Sequence, residues 1–260
     1  MEIVILPDSN AIGAVAADAV EALLRRRPDA VLGLATGSSP LPVYDELARR
    51  QTGQGLDLSQ ASGFALDEYV GLEPGHPQSY REVIRREFSN RVDIDSARVH
   101  SPDGAAADPA GACREYEAAI ADAGGIDLQL LGVGTDGHIG FNEPGSSLAS
   151  RTRIKTLTEQ TRKDNARFFG APDEVPGHVL TQGLGTIMDA RHVILIAFGG
   201  QKAQAVHDFV EGPVAAICPA SVLQLHPHAT ILIDEAAASG LKLADYYRYT
   251  YENKPVWQGL

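Results

Sequence analysis

The chain has 260 residues, 44% hydrophobic and 22% charged, which suits one large α/β domain or two small ones. Its 34 acidic and 22 basic residues leave a formal charge of −12, which excludes a general nucleic-acid surface. A small anion held by a few cations and N–H groups stays open.

"EIVIL" (2–6) predicts a strand, and "SNAIGAVAADAVEALLRRR" an amphipathic helix with Ser9 as its N-cap. "AVLGLAT" (30–36) predicts a second strand, and "PLPVYDELARR" a helix begun by Pro40. Further strands are expected at "SGFAL" (62–66), "IDLQLLGVG" (126–134), "HVILIAFGG" (192–200) and "ATILID" (229–234). "QKAQAVHDFVEG" predicts another helix, and "SPDGAAADPAGA" (101–112) a surface loop. Apolar strands without polar alternation are buried on both faces, and strands alternating with helices form βαβ units. The expected fold is therefore α/β: one doubly wound, mostly parallel, modified Rossmann-like sheet with helices on both faces. An irregular insertion falls around 135–190, with a mobile lid expected around 151–185. Cys113 and Cys218 are too few and too far apart for a disulfide scaffold. "MEIVILPDSN" has no basic leader, and no apolar run reaches membrane-spanning length, so the cytoplasm is expected and a membrane partner is not.

Three strand ends carry unusual chemistry, and ligands in open parallel sheets bind outside the carboxyl ends of strands. The first, Thr36-Gly37-Ser38-Ser39, runs into a helix whose unpaired N–H groups suit an anion, or else is a plain Ser-capped turn. No Lys follows the glycine, so a nucleoside triphosphate is not expected. The second ends in Asp67-Glu68, either a solvated loop pair or a site in which one desolvated carboxylate faces the crevice as a base.

The third is "GVGTDGHIGFNEPGSS", Gly132 to Ser147. Its Gly-x-Gly-x-x-Gly matches a dinucleotide fingerprint, but no helix opens at Gly137 and no acidic residue follows at the required distance. Asp136, His138 and Glu143, with His226 and His228 of "LHPH", invite zinc, yet no His-Glu-x-x-His or Cys-x-x-Cys spacing occurs. No organic cofactor or metal is expected. What remains is a histidine bracketed by carboxylates able to orient its ring and select its tautomer.

"LDEYVGL", "GVGTDGHIGFNEPGSSLASRTRIKTLT" and "ATGSSP" together resemble the glucosamine-6-phosphate deaminase family over nearly the whole chain. The resemblance implies conversion of glucosamine 6-phosphate and water to fructose 6-phosphate and ammonia, without a metal. It implies Asp67 as the base between C2 and C1, His138 at the ring oxygen, and Asp136 and Glu143 as its partners. It assigns the phosphate to Gly37, Ser38, Ser39, Arg167 and Lys202. A homo-oligomer, a hexamer by preference, activated by N-acetylglucosamine 6-phosphate is implied too, with Ser146, Arg153, Lys155 and Thr156 as effector contacts. Two departures stand out. Arg248, between Tyr247 and Tyr249, occupies the place of the family's allosteric tyrosine, and the phosphate loop reads Gly-Ser-Ser where relatives often have Gly-Gly-Thr. A 6-phosphogluconolactonase or a non-catalytic sugar-phosphate sensor is the alternative. The lactonase needs no base at C2, and the sensor would carry a helix-turn-helix.

Overall fold

The computed structural model describes residues 1–166, 169–255 and 257–260. Seven strands form a wholly parallel sheet in the order β1-β10-β9-β6-β2-β3-β5. They are β1 (Glu2–Leu6), β2 (Val31–Leu34), β3 (Ser62–Ala65), β5 (Val99–His100), β6 (Leu128–Gly132), β9 (His192–Ala197) and β10 (Ala229–Asp234). The expected parallel core is thus present, and its cause is visible in β9, where all six residues are buried. Val193, Leu195 and Ala197 enter one apolar layer, while Ile194 and Ile196 enter the other.

Helices cover both faces. α1 (Ser9–Arg26) and α2 (Leu41–Gln54) bury Ile12, Val20, Val43 and Leu47 on one side. On the other lie Tyr116 of α4 (Pro109–Asp122), Leu184 of α6 (Leu184–Met188) and Phe209 of α7 (Ala203–Val210). α3 (Tyr80–Ile84), α5 (Glu159–Asn165) and α8 (Ala244–Glu252) complete the set.

Three details differ from the sequence expectation. Asp8, not Ser9, caps α1: its backbone is extended and its carboxylate accepts the Ala11 N–H at 2.9 Å, whereas Ser9 is already helical. Pro40 precedes α2 rather than beginning it, and no side chain caps that helix. The expected surface loop stops at Asp108, because Pro109 opens α4.

A second sheet was not foreseen. β4 (Asp67–Tyr69), β8 (His178–Thr181) and β7 (Arg153–Thr156) form an antiparallel trio in the order β4-β8-β7, with Thr181 opposite both Asp67 and Arg153. After β3 the chain passes through Leu66 and leaves the main sheet to join this one. The insertion therefore supplies two strands of its own, β7 and β8, and β4, which carries the second strand end, joins them from outside it. Among the described residues no helix is long and apolar enough to cross a membrane.

Candidate active site

β3 delivers Asp67 and Glu68 into the seam between the two sheets, where only 5% and 6% of each is exposed. The solvated-pair reading is thereby overturned, and the two carboxylates do different things. Glu68 Oε1 accepts the N–H groups of Tyr69 (2.8 Å) and Tyr80 (2.9 Å), and Oε2 that of Arg81 (2.9 Å). It thus ties β4 to the first turn of α3. Asp67 accepts no hydrogen bond among the described residues. Burial, and secondarily the Glu68 charge, raises its carboxyl well above the usual carboxylate range.

The glycine-rich loop comes to meet it. Gly140 has φ +55, and a Cβ there would lie 3.0 Å from Thr181 Oγ1 and 3.7 Å from Asp67 Oδ2. The loop is pinned by Phe141 N–H donating to Thr181 Oγ1 (3.1 Å), and by Asn142 Nδ2 donating to the Ile139 and Gln182 carbonyls. His138 lies between its two acids: Nδ1 is 2.7 Å from Asp136 Oδ1 and 3.7 Å from Glu143 Oε2. The buried Nδ1 is close to Asp136 but not aligned for a hydrogen bond, while the His138 N–H donates to Asp136 Oδ1 at 3.1 Å. Gly134 allows this packing, since a Cβ there would meet the ring at 2.3 Å.

The two acids are driven apart. The His138 ring holds Asp136 below the usual carboxylate range, against its partial burial. Glu143 is pushed up by burial, opposed by the Thr161 hydroxyl and His138. Such a split suits one permanent anion that orients an imidazole and one group that titrates. The ligand atoms of Asp136, His138 and Glu143 all lie within 4.8 Å of one another, a closeness that a histidine clasped by two carboxylates already requires.

The expected phosphate groups sit at neighbouring strand ends. A Cβ on Gly132, at the end of β6, would lie 2.9 Å from Ser39 Oγ, so Ser39 crosses toward the glycine-rich loop. Gly37 takes φ +82 and is exposed. Ser38 instead lines a cleft of about 430 Å³ with Ser9, Asn10 and Arg49, on the side of α1 and α2. Lys202 ends a 3-10 turn after β9, at the start of α7. β9, β6, β2 and β3 are consecutive in the sheet, so Lys202, the glycine-rich loop, the Ser39 loop and Asp67 share one edge. Arg167 lies outside the described residues.

The expected effector residues divide. Arg153 and Lys155 are half-buried on one face of β7, while Thr156 alternates onto the exposed face. Arg153 Nη1 donates to Asn142 Oδ1 at 2.8 Å. Ser146 is buried, its hydroxyl lacking a hydrogen bond among the described residues. Arg248 of α8 is engaged by Glu235, just after β10, and by Asp245.

Residues 9–232 match the family model described as glucosamine-6-phosphate isomerases/6-phosphogluconolactonase. The chain belongs to this family. Over the full length of both chains it is 78% identical to a glucosamine-6-phosphate deaminase of Arthrobacter sp. (strain FB24), and 65% identical to one of Mycolicibacterium smegmatis. A solved monomeric glucosamine-6-phosphate deaminase superposes with a TM-score of 0.90 at 40% identity, over 93% of this chain and 100% of that one. A 6-phosphogluconolactonase from Thermotoga maritima, at 22% identity and a TM-score of 0.70 over 90% of this chain and 98% of that one, shares the fold. Within this family framework two site residues had escaped sequence reasoning. Glu68 was one of a pair without a way to choose its role, and Thr161, whose hydroxyl reaches Glu143, was hidden in a polar helix. The only signal for Thr161 was its place three residues after the cap Thr158.

Proposed function

We propose that this chain deaminates and isomerises glucosamine 6-phosphate, giving fructose 6-phosphate and ammonia in amino-sugar breakdown. The carrying observation is a buried carboxylate, Asp67, that accepts no hydrogen bond among the described residues and is walled by the loop that holds His138 between two acids. In this reading His138 moves a proton at the ring oxygen as the pyranose opens, with Asp136 orienting the ring and Glu143 adjusting its charge. Asp67 then takes the proton from C2 of the open aldehyde and returns it to C1, while one proton of the substrate ammonium passes to O1. C2 becomes an iminium carbon, water adds there, and ammonia leaves. Ser39, the Gly37 loop, Lys202 and Arg167 hold the phosphate, combining cations with backbone N–H groups. The names of full-length relatives at 78% and 65% identity support the same substrate. Lactone hydrolysis leaves Asp67 without a task, and that likeness extends to fold alone.

The test is incubation of purified protein with glucosamine 6-phosphate, assaying ammonia and fructose 6-phosphate. Equal amounts of both are expected; neither product, with or without N-acetylglucosamine 6-phosphate, would end the proposal. The proposal extends to a homo-oligomer, a hexamer by preference, activated by the N-acetylated sugar phosphate, resting on the likeness of "SSLASRTRIKT". Sedimentation velocity measures the assembly, and sigmoidal kinetics made hyperbolic by the effector measure the coupling. A monomer with hyperbolic kinetics would remove this part and leave catalysis standing.

A further inference from the structure

We infer that α5 is a strap that positions catalytic groups on both sides of the site, Thr161 holding Glu143 and Asn165 holding the strand end that carries Asp67. Thr161 Oγ1 donates to Glu143 Oε1 at 2.6 Å in a buried contact. That spends its only proton, so the 2.8 Å contact with Thr158 Oγ1 is donated by Thr158. Thr158 Oγ1 in turn accepts the Thr161 N–H at 3.1 Å, which caps the helix. The chain of donors therefore runs one way, from the start of α5 into one oxygen of Glu143. The other oxygen faces His138 Nδ1 at 3.7 Å.

Four residues along the same helix face, Asn165 Nδ2 donates to Tyr69 Oη at 3.0 Å. Tyr69 lies two residues beyond Asp67 in β4, and its hydroxyl also accepts from Tyr80 Oη at 3.2 Å. One short helix thus touches the neighbour of the base and the partner of the histidine, which belong to different sheets' strand ends. The charged groups acting on Glu143 are His138 and Asp136 of its own loop, and α5 meets it with a hydroxyl. Thr161 and Asn165 are positioning residues, acting through Glu143 and Tyr69. The kinetic arm of the test rests on the deaminase reading; the exchange arm does not.

In Thr161→Val the donor is lost at almost constant volume. A charge-assisted hydrogen bond of this kind leads us to expect kcat to fall roughly ten- to hundredfold, with KM changed less than about twofold. The acid limb of the kcat profile should move to higher pH, because the carboxyl ionises less readily without its donor. Thr161→Ser should restore both. Asn165→Ala should lower kcat without moving that limb, which separates general loosening of α5 from loss of the hydroxyl. By hydrogen exchange, Thr161→Val should speed exchange at residues 138–143 and Asn165→Ala at 67–69, with β9 and β10 unchanged. If Thr161→Val does not fold, Thr158→Val, one hydroxyl further out, should move the limb the same way by less. A folded Thr161→Val or Thr158→Val with the wild-type limb, or exchange changes confined to α5, would overturn the inference. Faster loop exchange in a protein that releases no ammonia would keep the strap and discard the deaminase.

Discussion

Asp67 illustrates how much a single side chain's meaning depends on what surrounds it. In the sequence it was half of an acidic pair that water could have solvated. In the fold its neighbour Glu68 is consumed by three backbone N–H groups, and Asp67 is left buried beside Gly140. Desolvation without a hydrogen-bond donor raises the affinity of a carboxylate for a proton, which is what abstraction from carbon demands. Replacing it by the isosteric amide removes that capacity and little of the shape. Asp67→Asn should therefore lower kcat by about 10²- to 10⁴-fold while still binding substrate, read by coupled assay and calorimetry. Activity within about threefold of wild type would assign the base elsewhere. His138 was legible because its two acids stand within seven residues of each other in sequence, whereas Asp67 lies more than sixty residues upstream of the loop it faces.

At the scale of elements, two local constructions make separate claims on stability. The first is the Glu68 bracket between β4 and α3. In Glu68→Gln an amide N–H₂ replaces an acceptor facing the Arg81 N–H, setting two donors against each other in a part-buried contact. Urea unfolding should show a loss of about 1–3 kcal/mol. With the neighbouring charge gone, the Asp67 limb of the pH profile should also move to lower pH. No change in either would mean that the bracket is incidental.

The second construction is the stacked pair His192 and His228, with ring centroids 3.7 Å apart and planes within 2°. His192 Nε2 bonds Thr230 Oγ1 at 3.0 Å, and burial, then the His228 charge, depresses its pKa to about 3. The unfolded imidazole titrates near its ordinary value of about 6.5. Its stabilising contribution is therefore complete above that pH and is lost as pH falls through the window toward 3. Stability should decline there with an added slope of up to roughly 1.4 kcal/mol per pH unit. Denaturant midpoints from pH 7 to 4 measure this, and His192→Gln should flatten the curve. An unaltered slope in that variant would place the acid sensitivity among the carboxylates. Neither construction was legible beforehand, because each joins short segments whose spacing follows no period. Six of the seven main strands were, because buried parallel strands announce themselves as apolar runs; the two-residue β5 carries no such run.

For the whole molecule, the arrangement of strands matters more than any one of them. Four consecutive strand ends, β9, β6, β2 and β3, carry Lys202, the glycine-rich loop, the Ser39 loop and Asp67, so under the proposed function a ligand bound there bridges segments from residue 37 to residue 202. Binding that spans the fold stabilises the fold. Asp67→Asn with glucosamine 6-phosphate at a hundred times its Kd should gain about 2.7 kcal/mol, a melting shift of roughly 5–10 °C. Ser39→Ala and Lys202→Ala should each need more ligand for the same shift. A melting point indifferent to sugar phosphate, but raised by an unphosphorylated sugar, would move the phosphate away from this edge. The parallel character of the main sheet followed from the alternation of apolar strands with helices. The antiparallel trio did not, since a three-residue strand beginning at Asp67 carries no pattern of its own.

The enclosure of Asp67 between Thr181 and Gly140 has a stereochemical consequence. As the base of the proposed reaction, Asp67, walled on one side by a strand and on another by a loop, would reach the carbon chain from a single direction. A hydrogen label at C2 of the sugar should therefore arrive at C1 on the same face of the planar intermediate, in one prochiral position rather than two. The tighter the enclosure, the larger the fraction of label that arrives instead of washing into water. The hand of the product methylene is thus a record of which wall of the seam the carboxylate stands on.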